Sequence, residues 1–380
     1  MRILFTGGGT GGHVFPIIAI KQTFDDPAFA KASADKFYYL GPDGFVKENL
    51  IGVKTKFILA GKFRRYFSLT MPIDLLKIFI GTIQSFWHLF LIMPDVIFSK
   101  GGYGSFPVCF AGWVFRIPIV LHDSDSAPGL ANRVMAKFAK KIILSFESGR
   151  KYFKPKYQSK IILIGNPIRK ELLCERQTCL PAGRELFKIS ATKPVILIIG
   201  GSQGAQKINE NVLNILPRLL EMTEVIHSSG KINFKETNEQ AKDILGSHEN
   251  LKPYYHLYPF LDAGQLKHAY AVADLILNRA GAGSIFEIAA LGKPSILIPL
   301  PNSAQDHQRK NAYEFSNSGA RTVVLDQENL TPNILLDTIS NLLLSPTKLQ
   351  EMGQKAKSFY NLQTPELIKD EILKLIKGHA

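Results

Sequence analysis

The chain has 380 residues, 46% of them apolar and 21% charged, which suits two ordinary globular domains and excludes a disordered or low-complexity protein. Its three cysteines, Cys109, Cys174 and Cys179, form no CxxC or Cys/His ligand spacing, and the odd number argues against a disulfide framework and for a reducing compartment. The net charge of +14 is uneven: residues 1–165 carry 22 Lys/Arg against 10 Asp/Glu, and residues 166–380 carry 24 against 22, so the first half is suited to a local anionic partner such as membrane lipid, nucleic acid or a phosphorylated substrate.

The chain opens on a β-branched apolar run at 3–6 that breaks into glycine, and no secretory leader is read in residues 1–16. Further strands are predicted at 37–40, 56–60, 95–99, 118–122 and 141–146. A second series is predicted at 194–199, 224–227, 255–259, 274–278, 294–299 and 321–325. Helical stretches separate them, the pattern of parallel sheets with crossover helices. The turn Gly165-Asn166-Pro167 divides the two series, so the fold class is α/β with two doubly wound domains and a cleft between them. The segments 27–36 and 174–192 lack periodicity and read as inserted surface loops.

Residues 71–93 are apolar enough to raise the question of a membrane span. Asp74, Lys77, Gly81, Gln84 and His88 fall at steps of three and four, which makes one polar stripe on a helix with a broad apolar face. Such a helix is expected to pack on the sheet; the alternative is that its face around Phe86, Trp87 and Phe90 rests on lipid.

Four loops carry the chemistry. Gly7-Gly8-Gly9-Thr10-Gly11-Gly12-His13 follows the first strand and satisfies GxGxxG at Gly7, Gly9 and Gly12. The second strand ends Tyr38-Tyr39-Leu40-Gly41, without the acidic residue that a dinucleotide site wants, and no Lys-Ser/Thr follows the glycines as a P-loop requires. What remains is a glycine turn presenting one histidine at a strand end. A lone histidine is usually structural, but His13 lies where open α/β sheets bind ligands.

Lys100-Gly101-Gly102-Tyr103-Gly104-Ser105 and Gly200-Gly201-Ser202-Gln203-Gly204-Ala205 repeat the strand–glycine–helix junction, which as a set points to phosphate or diphosphate binding. In the fourth cluster, Arg279 to Glu287, a small-residue turn admits a nucleoside, and Glu287 could accept both hydroxyls of a ribose or merely favour the helix N-terminus.

Taken together, GGTGGHVFP, GGYGSFP, GNPIR, GGSQGA and RAGAGSIFEIAALGKPSILIPLPNSAQDHQRKNA resemble the MurG family of peptidoglycan N-acetylglucosaminyltransferases. The resemblance runs from residue 7 to about 312. It implies a GT-B fold with an acceptor and membrane-facing domain at 1–165, a UDP-sugar domain at 166–361 and a last helix at 362–380 packing back on the first domain.

Position by position, the resemblance puts Thr10, Gly11 and Gly12 on the donor sugar, with His13 as base and Asp123 as the second candidate. It puts Arg169 and Ser202 on the UDP phosphates, the Leu261 backbone on uracil, and Ala282, Gly283, Ser284, Ile285, Phe286 and Glu287 along the donor. Gln308 would meet the sugar hydroxyls, while Gly101, Gly102, Tyr103, Gly104 and Asn132 would face the acceptor.

Where the family usually has His-Glu-Gln-Asn, this chain has His122-Asp123-Ser124-Asp125, which shortens one carboxylate and places the Asp125 charge beside the donor sugar. Asp123-Ser124-Asp125 also spells a DxD metal signature; no metal and no cofactor are expected, because Arg169 and helix N-termini already serve the phosphates.

The implied reaction is inverting transfer of N-acetylglucosamine from UDP-N-acetylglucosamine to the muramyl 4-hydroxyl of an undecaprenyl-diphosphate-linked acceptor at the cytoplasmic face of the membrane. Lys62, Arg64, Arg65, Arg133, Lys137, Lys140 and Lys141 would rim the anionic membrane surface, and no nucleic acid is implied. The alternatives are a lipid glycosyltransferase using diacylglycerol, a UDP-sugar 2-epimerase, and a non-catalytic nucleotide-sugar binder.

Overall fold

The computed structural model describes all residues except 26–35, 62–70, 175, 191, 201–204 and 379–380. It divides into two compact units, Met1–Arg169 with Asn361–Ala380, and Lys170–Tyr360. The boundary thus falls after Arg169, not after Gly165, and Arg169 belongs with the first unit.

Seven parallel strands build the first unit: β1 (Arg2–Thr6), β2 (Lys36–Gly41), β3 (Lys54–Phe57), β4 (Val96–Ser99), β5 (Ile119–Asp123), β6 (Lys141–Leu144) and β7 (Ile161–Leu163). Their order is β3-β2-β1-β4-β5-β6-β7. Along β1 successive side chains enter opposite cores, as the period of two requires: Ile3 and Phe5 join Val14, Ile17 and Ile20, whereas Leu4 joins Ile97, Val108 and Leu121. Both faces of β1, β4 and β5 are covered, which is why these central strands read as unbroken apolar runs, whereas the edge strand β3 is largely exposed.

The second unit repeats the plan with β8 (Val195–Ile199), β9 (Glu224–Ser228), β10 (Tyr255–Tyr258), β11 (Leu275–Asn278), β12 (Ser295–Leu297) and β13 (Val323–Val324), in the order β10-β9-β8-β11-β12-β13. In each sheet the winding direction reverses once, between β1 and β4 and between β8 and β11. The crevice beyond the strand ends at such a reversal is where open α/β sheets take ligands.

The last helix, Thr364–Lys377, lies in the first unit. Ile368 and Ile372 enter the core of β1, Lys369 Nζ donates to the Thr23 carbonyl at 3.2 Å, and Glu371 pairs with Lys141 at 3.4 Å.

Three expectations need correction. The segment 174–192 is not a loop: it holds the helix Arg176–Phe187, with Pro181 and Gly183 inside it. Gly183 lets that helix approach the helix Ala263–Val272, since a β-carbon there would lie 2.9 Å from the His268 carbonyl oxygen. Nor are all three cysteines free. Cys174 and Cys179 form a disulfide, and Cys109 is a buried thiol.

The third correction concerns the helix Met71–Ile92, which does not bury its apolar face. Only Gly81, Ser85 and Leu89 are buried, while Phe79, Trp87 and Phe90 are each more than 60% exposed. Part of the polar stripe faces the chain instead. Gln84 Oε1 accepts the Leu59 N–H at 2.8 Å, and Gly81 lies so close to the Leu59 carbonyl that no larger residue fits. The segment 27–36 and the rim residues Lys62, Arg64 and Arg65 lie outside the described residues, apart from the backbone of Lys36 in β2.

Candidate active site

The switch point of the first sheet gathers five of the predicted loops and side chains. Thr6 pairs in register with Ser99, so the glycine loops after β1 and β4 leave the sheet side by side. Thr10 precedes the helix Gly11–Phe24, and its hydroxyl lies 2.9 Å from His13 Nδ1. The His13 ring lies over Gly8, and its Nε2 faces Gly102: a β-carbon on Gly102 would lie 2.9 Å away. Gly101 and Gly102 both have φ of +82°, a conformation that glycine adopts without strain. The imidazole therefore sits between the first glycine loop and a second loop whose backbone at Gly101 and Gly102 favours glycine.

Asp123 ends β5 and is 3% exposed. Its Oδ1 accepts the Asp125 N–H at 3.0 Å and its Oδ2 accepts Asn132 Nδ2 at 2.6 Å. Asn132 in turn accepts the Gly102 N–H on Oδ1 at 2.9 Å. A relay thus runs from the end of β5 to the glycine loop beside His13. Asn132, predicted to face the acceptor, is buried and uses both polar atoms within the unit, which makes it a support for Gly102.

The charges interact strongly. Desolvation, with the Lys100 charge adding to it, lowers His13 to about 4 against a smaller opposing pull from Asp125. Burial thus holds His13 well below the ordinary imidazole range. Desolvation and then Asp125 raise Asp123 to about 6, opposed by Asn132 and Lys100. Near pH 7 the imidazole is neutral and the Asp123 carboxylate largely ionised.

Arg169 is 5% exposed, and its guanidinium stacks on the Phe15 ring, 4.0 Å from the centroid. The stack fixes the side chain beside the helix that carries His13.

In the second unit, the corresponding switch point holds the helix Ala282–Ala290, which opens at Gly281 after β11. Arg279 is buried and donates to the Ile298 and Pro299 carbonyls at 3.1 and 3.4 Å, which fixes the turn between β11 and this helix. Asn311 Nδ2 donates to the Ala280 carbonyl at 3.3 Å and secures the same turn. Glu287 is partly exposed, and the buried Tyr270 hydroxyl donates to its Oε2 at 3.0 Å.

Gln308 Oε1 accepts the Leu300 N–H at 3.0 Å, bracing a loop in which Asn302, Gln305 and Asp306 all have positive φ. Leu261 is buried just before the capping box of Asp262 and Gln265. Ser202 lies outside the described residues.

Sequence reasoning missed Tyr270 and Lys100. Tyr270 lies in the last turn of its helix in an apolar context and carries no signal of its own. Lys100 stood inside a singled-out loop, and its position directly after a buried strand was the available signal.

Models of two families match the chain: the glycosyltransferase family 28 N-terminal domain over residues 3–144 and the C-terminal domain of the same family over residues 195–367. The chain is 37% identical to the UDP-N-acetylglucosamine–N-acetylmuramyl-(pentapeptide) pyrophosphoryl-undecaprenol N-acetylglucosamine transferase of Legionella pneumophila strain Paris, over all of this chain and 97% of the relative. It is 33% identical to the enzyme of that name from Clostridioides difficile strain 630, over 99% of this chain and 89% of the relative.

Among solved structures, MurG of Acinetobacter baumannii superposes with a TM-score of 0.72 at 23% identity, covering 98% of this chain and 99% of the other. A UDP-N-acetylglucosamine 2-epimerase from Neisseria meningitidis reaches 0.69 at 14% identity, over 98% of this chain and all of the other. Both likenesses establish the fold alone.

Proposed function

The chain belongs to the UDP-N-acetylglucosamine–N-acetylmuramyl-(pentapeptide) pyrophosphoryl-undecaprenol N-acetylglucosamine transferases of glycosyltransferase family 28, and from that membership we propose how its two switch points perform the transfer. N-acetylglucosamine passes from UDP-N-acetylglucosamine to the 4-hydroxyl of the undecaprenyl-diphosphate-linked N-acetylmuramyl-peptide with inversion, forming lipid II for peptidoglycan. The observation that carries the reading is identity of 37% over the full length, which the epimerase likeness, at 14%, does not approach.

His13 is the base. With Nδ1–H donated to Thr10 Oγ1, the Nε2 lone pair faces Gly102 and takes the proton of the acceptor hydroxyl as its oxygen bonds to the anomeric carbon and UDP leaves. Asp123 has both oxygens engaged by Asn132 and Asp125, which supports a positioning role over that of base. Thr10, Gly11, Gly12 and Asp125 border the donor sugar, and Arg169 with Ser202 holds the departing diphosphate. Leu261 reads uracil through its backbone, Ala282 to Glu287 line the nucleoside, Glu287 takes the ribose hydroxyls and Gln308 meets the sugar. Gly101 to Gly104 face the acceptor diphosphate.

The protein works as a peripheral enzyme on the cytoplasmic face of the membrane, with the exposed face of Met71–Ile92 on lipid and Arg133, Lys137, Lys140 and Lys141 among its basic rim. That helix is also long and apolar enough to cross a membrane by length and composition, but its Gly81, Ser85 and Leu89 side packs on the unit, which favours a surface position. No nucleic acid is part of this reading.

The test is to incubate the protein with labelled UDP-N-acetylglucosamine and either the lipid-linked muramyl acceptor or diacylglycerol. Label should enter the muramyl lipid with release of UDP. Transfer to diacylglycerol alone, or epimerised nucleotide sugar without transfer, would replace the proposal.

A further inference from the structure

Lys100 follows β4 and is 3% exposed, so its ammonium lies beneath the first switch point, out of contact with bulk water. Its backbone N–H donates to the Thr6 carbonyl at 2.8 Å, which places the residue directly under the turn into the first glycine loop. The ammonium donates to Ser124 Oγ, and Ser124 Oγ donates to Asn166 Oδ1. A buried cation is costly unless matched by charge or hydrogen bonds, so its retention at this point calls for a partner or a task.

The charged and titratable groups around it are the carboxylates of Asp123 and Asp125, beyond the end of β5, and the imidazoles of His13, at the start of the first helix, and His122, on β5. One cation thus lies within electrostatic reach of two carboxylates that are two residues apart on one turn. The hydroxyl it binds belongs to the residue between them.

We propose that Lys100 is a positioning residue for the transfer reaction, a buried cation that fixes the Asp123-Ser124-Asp125 turn through the Ser124 hydroxyl and balances its two carboxylates beside His13. The inference rests on His13 being the base at this site. The Ser124 bond explains the geometry: the turn hangs from Lys100 on one side and from Asn166 on the other. The charge explains the chemistry. With Lys100 present, Asp123 stays ionised and accepts from Asn132, which holds Gly102 against the imidazole. Without it, the buried Asp123 carboxylate faces the neighbouring Asp125 charge with no cation to offset it, and Asp123 takes a proton more readily.

The electrostatics agree in direction. Lys100 favours the charged form of Asp123 and opposes protonation of His13. Burial lowers Lys100 itself to about 8, against the pull of Asp123 and Asp125. Turnover should therefore fall on the acid side as Asp123 is protonated and on the alkaline side as Lys100 loses its proton.

The experiment measures kcat and donor KM for the full chain from pH 5.5 to 9, in wild type and in Lys100→Met, Lys100→Arg, Asp125→Asn and Lys100→Met/Asp125→Asn. Lys100→Met should lower kcat roughly tenfold or more, with donor KM changed less than about threefold, and should move the acid limb to higher pH. The double variant should recover much of that loss, because removing a second charge relieves the imbalance left by the first. Lys100→Arg should keep the acid limb near its wild-type position.

Should Lys100→Met fail to fold, Asp125→Asn carries the test, since losing that carboxylate should move the alkaline limb to lower pH. An unchanged pH profile in Asp125→Asn, or wild-type kcat in folded Lys100→Met, overturns the proposal, as does a double variant no better than Lys100→Met. A His13→Ala control separates the two readings. If it retains activity, the assignment of the base has failed; if it is inactive while Lys100→Met matches wild type, only the role of Lys100 has.

Discussion

The Asn132 side-chain amide donates to Asp123 Oδ2 at 2.6 Å, so the carboxylate that ends β5 is held by a buried neighbour. The same amide accepts the Gly102 N–H, and the two bonds tie the end of β5 to the loop that faces His13. Removing one partner of buried polar groups costs more than the bond itself, because the remaining partners are left desolvated and unpaired. Asn132→Ala should therefore lower unfolding free energy by roughly 1–3 kcal/mol. It should also reduce kcat while leaving donor affinity nearly unchanged. Urea denaturation and steady-state kinetics check both parts, and wild-type stability would show that the relay is not under tension in solution.

Buried neutral histidines lower the stability in acid, opposed in part by Asp123, which takes up a proton near pH 6 in the folded chain before it would in the unfolded one. His227 lies between Asn209 Oδ1, 3.0 Å from Nε2, and the Tyr255 hydroxyl, 2.8 Å from Nδ1, and burial lowers it from 6.5 to about 3. Above pH 6.5 neither state binds the proton, and no penalty exists. As pH falls through 6.5 toward 3, the unfolded chain takes up a proton that the folded chain refuses, and stability is lost by at most about 1.4 kcal/mol per pH unit for this group. His13 and His122 shift in the same direction and add to the slope. Tm should fall between pH 7 and 5, and His227→Gln should flatten the fall. Equal slopes in the two proteins would remove His227 from the account.

Glu287 and Tyr270 form a testable pair on the donor side. Glu287→Ala should weaken UDP-N-acetylglucosamine binding by roughly 1.5–3 kcal/mol, the range for a hydrogen bond to a charged group. Tyr270→Phe removes only the hydroxyl that donates to Oε2 and should weaken binding several-fold without unfolding the protein. Calorimetric titration reads both. Unchanged affinity in Glu287→Ala would take the ribose away from this helix.

The exposed helix Met71–Ile92 predicts reversible binding to anionic vesicles that weakens as salt rises. Trp87→Glu with Phe90→Glu should abolish co-sedimentation and leave the fold intact, because both side chains already face away from the chain. Unaltered sedimentation would place the lipid contact elsewhere.

Most of the sheet was legible because strands covered on both faces are short apolar runs that stop at glycine, as at Thr6-Gly7 and Ser99-Lys100-Gly101. β7 was not, since Ile161–Leu163 merges with the turn at Gly165 and offers no alternation. The helix Arg176–Phe187 was hidden by Pro181 and Gly183, two residues that usually mark loops and here permit close helix packing. The disulfide was hidden because an odd cysteine count says nothing about which two are adjacent.

The stripe on Met71–Ile92 was legible as a pattern but inverted in meaning: Gln84 and Gly81 serve the backbone at Leu59, and the apolar side is left outward. At the site, His13 and Asp123 were legible as residue types at strand ends. Their environment was not, because it comes first from burial and then from charges on other segments, neither of which leaves a trace in the local spacing.

The mechanism turns on His13 as the base. Turnover of His13→Ala and Asp123→Asn should be measured at saturating donor and acceptor from pH 6 to 9, with UDP release and glycosylated lipid counted together. His13→Ala should lose roughly 10²–10⁴ in kcat with donor affinity little changed. Asp123→Asn, which keeps the shape of the turn, should lose less. Near-normal turnover in His13→Ala with most activity lost in Asp123→Asn would contradict the account and make His13 a packing residue of the glycine loops.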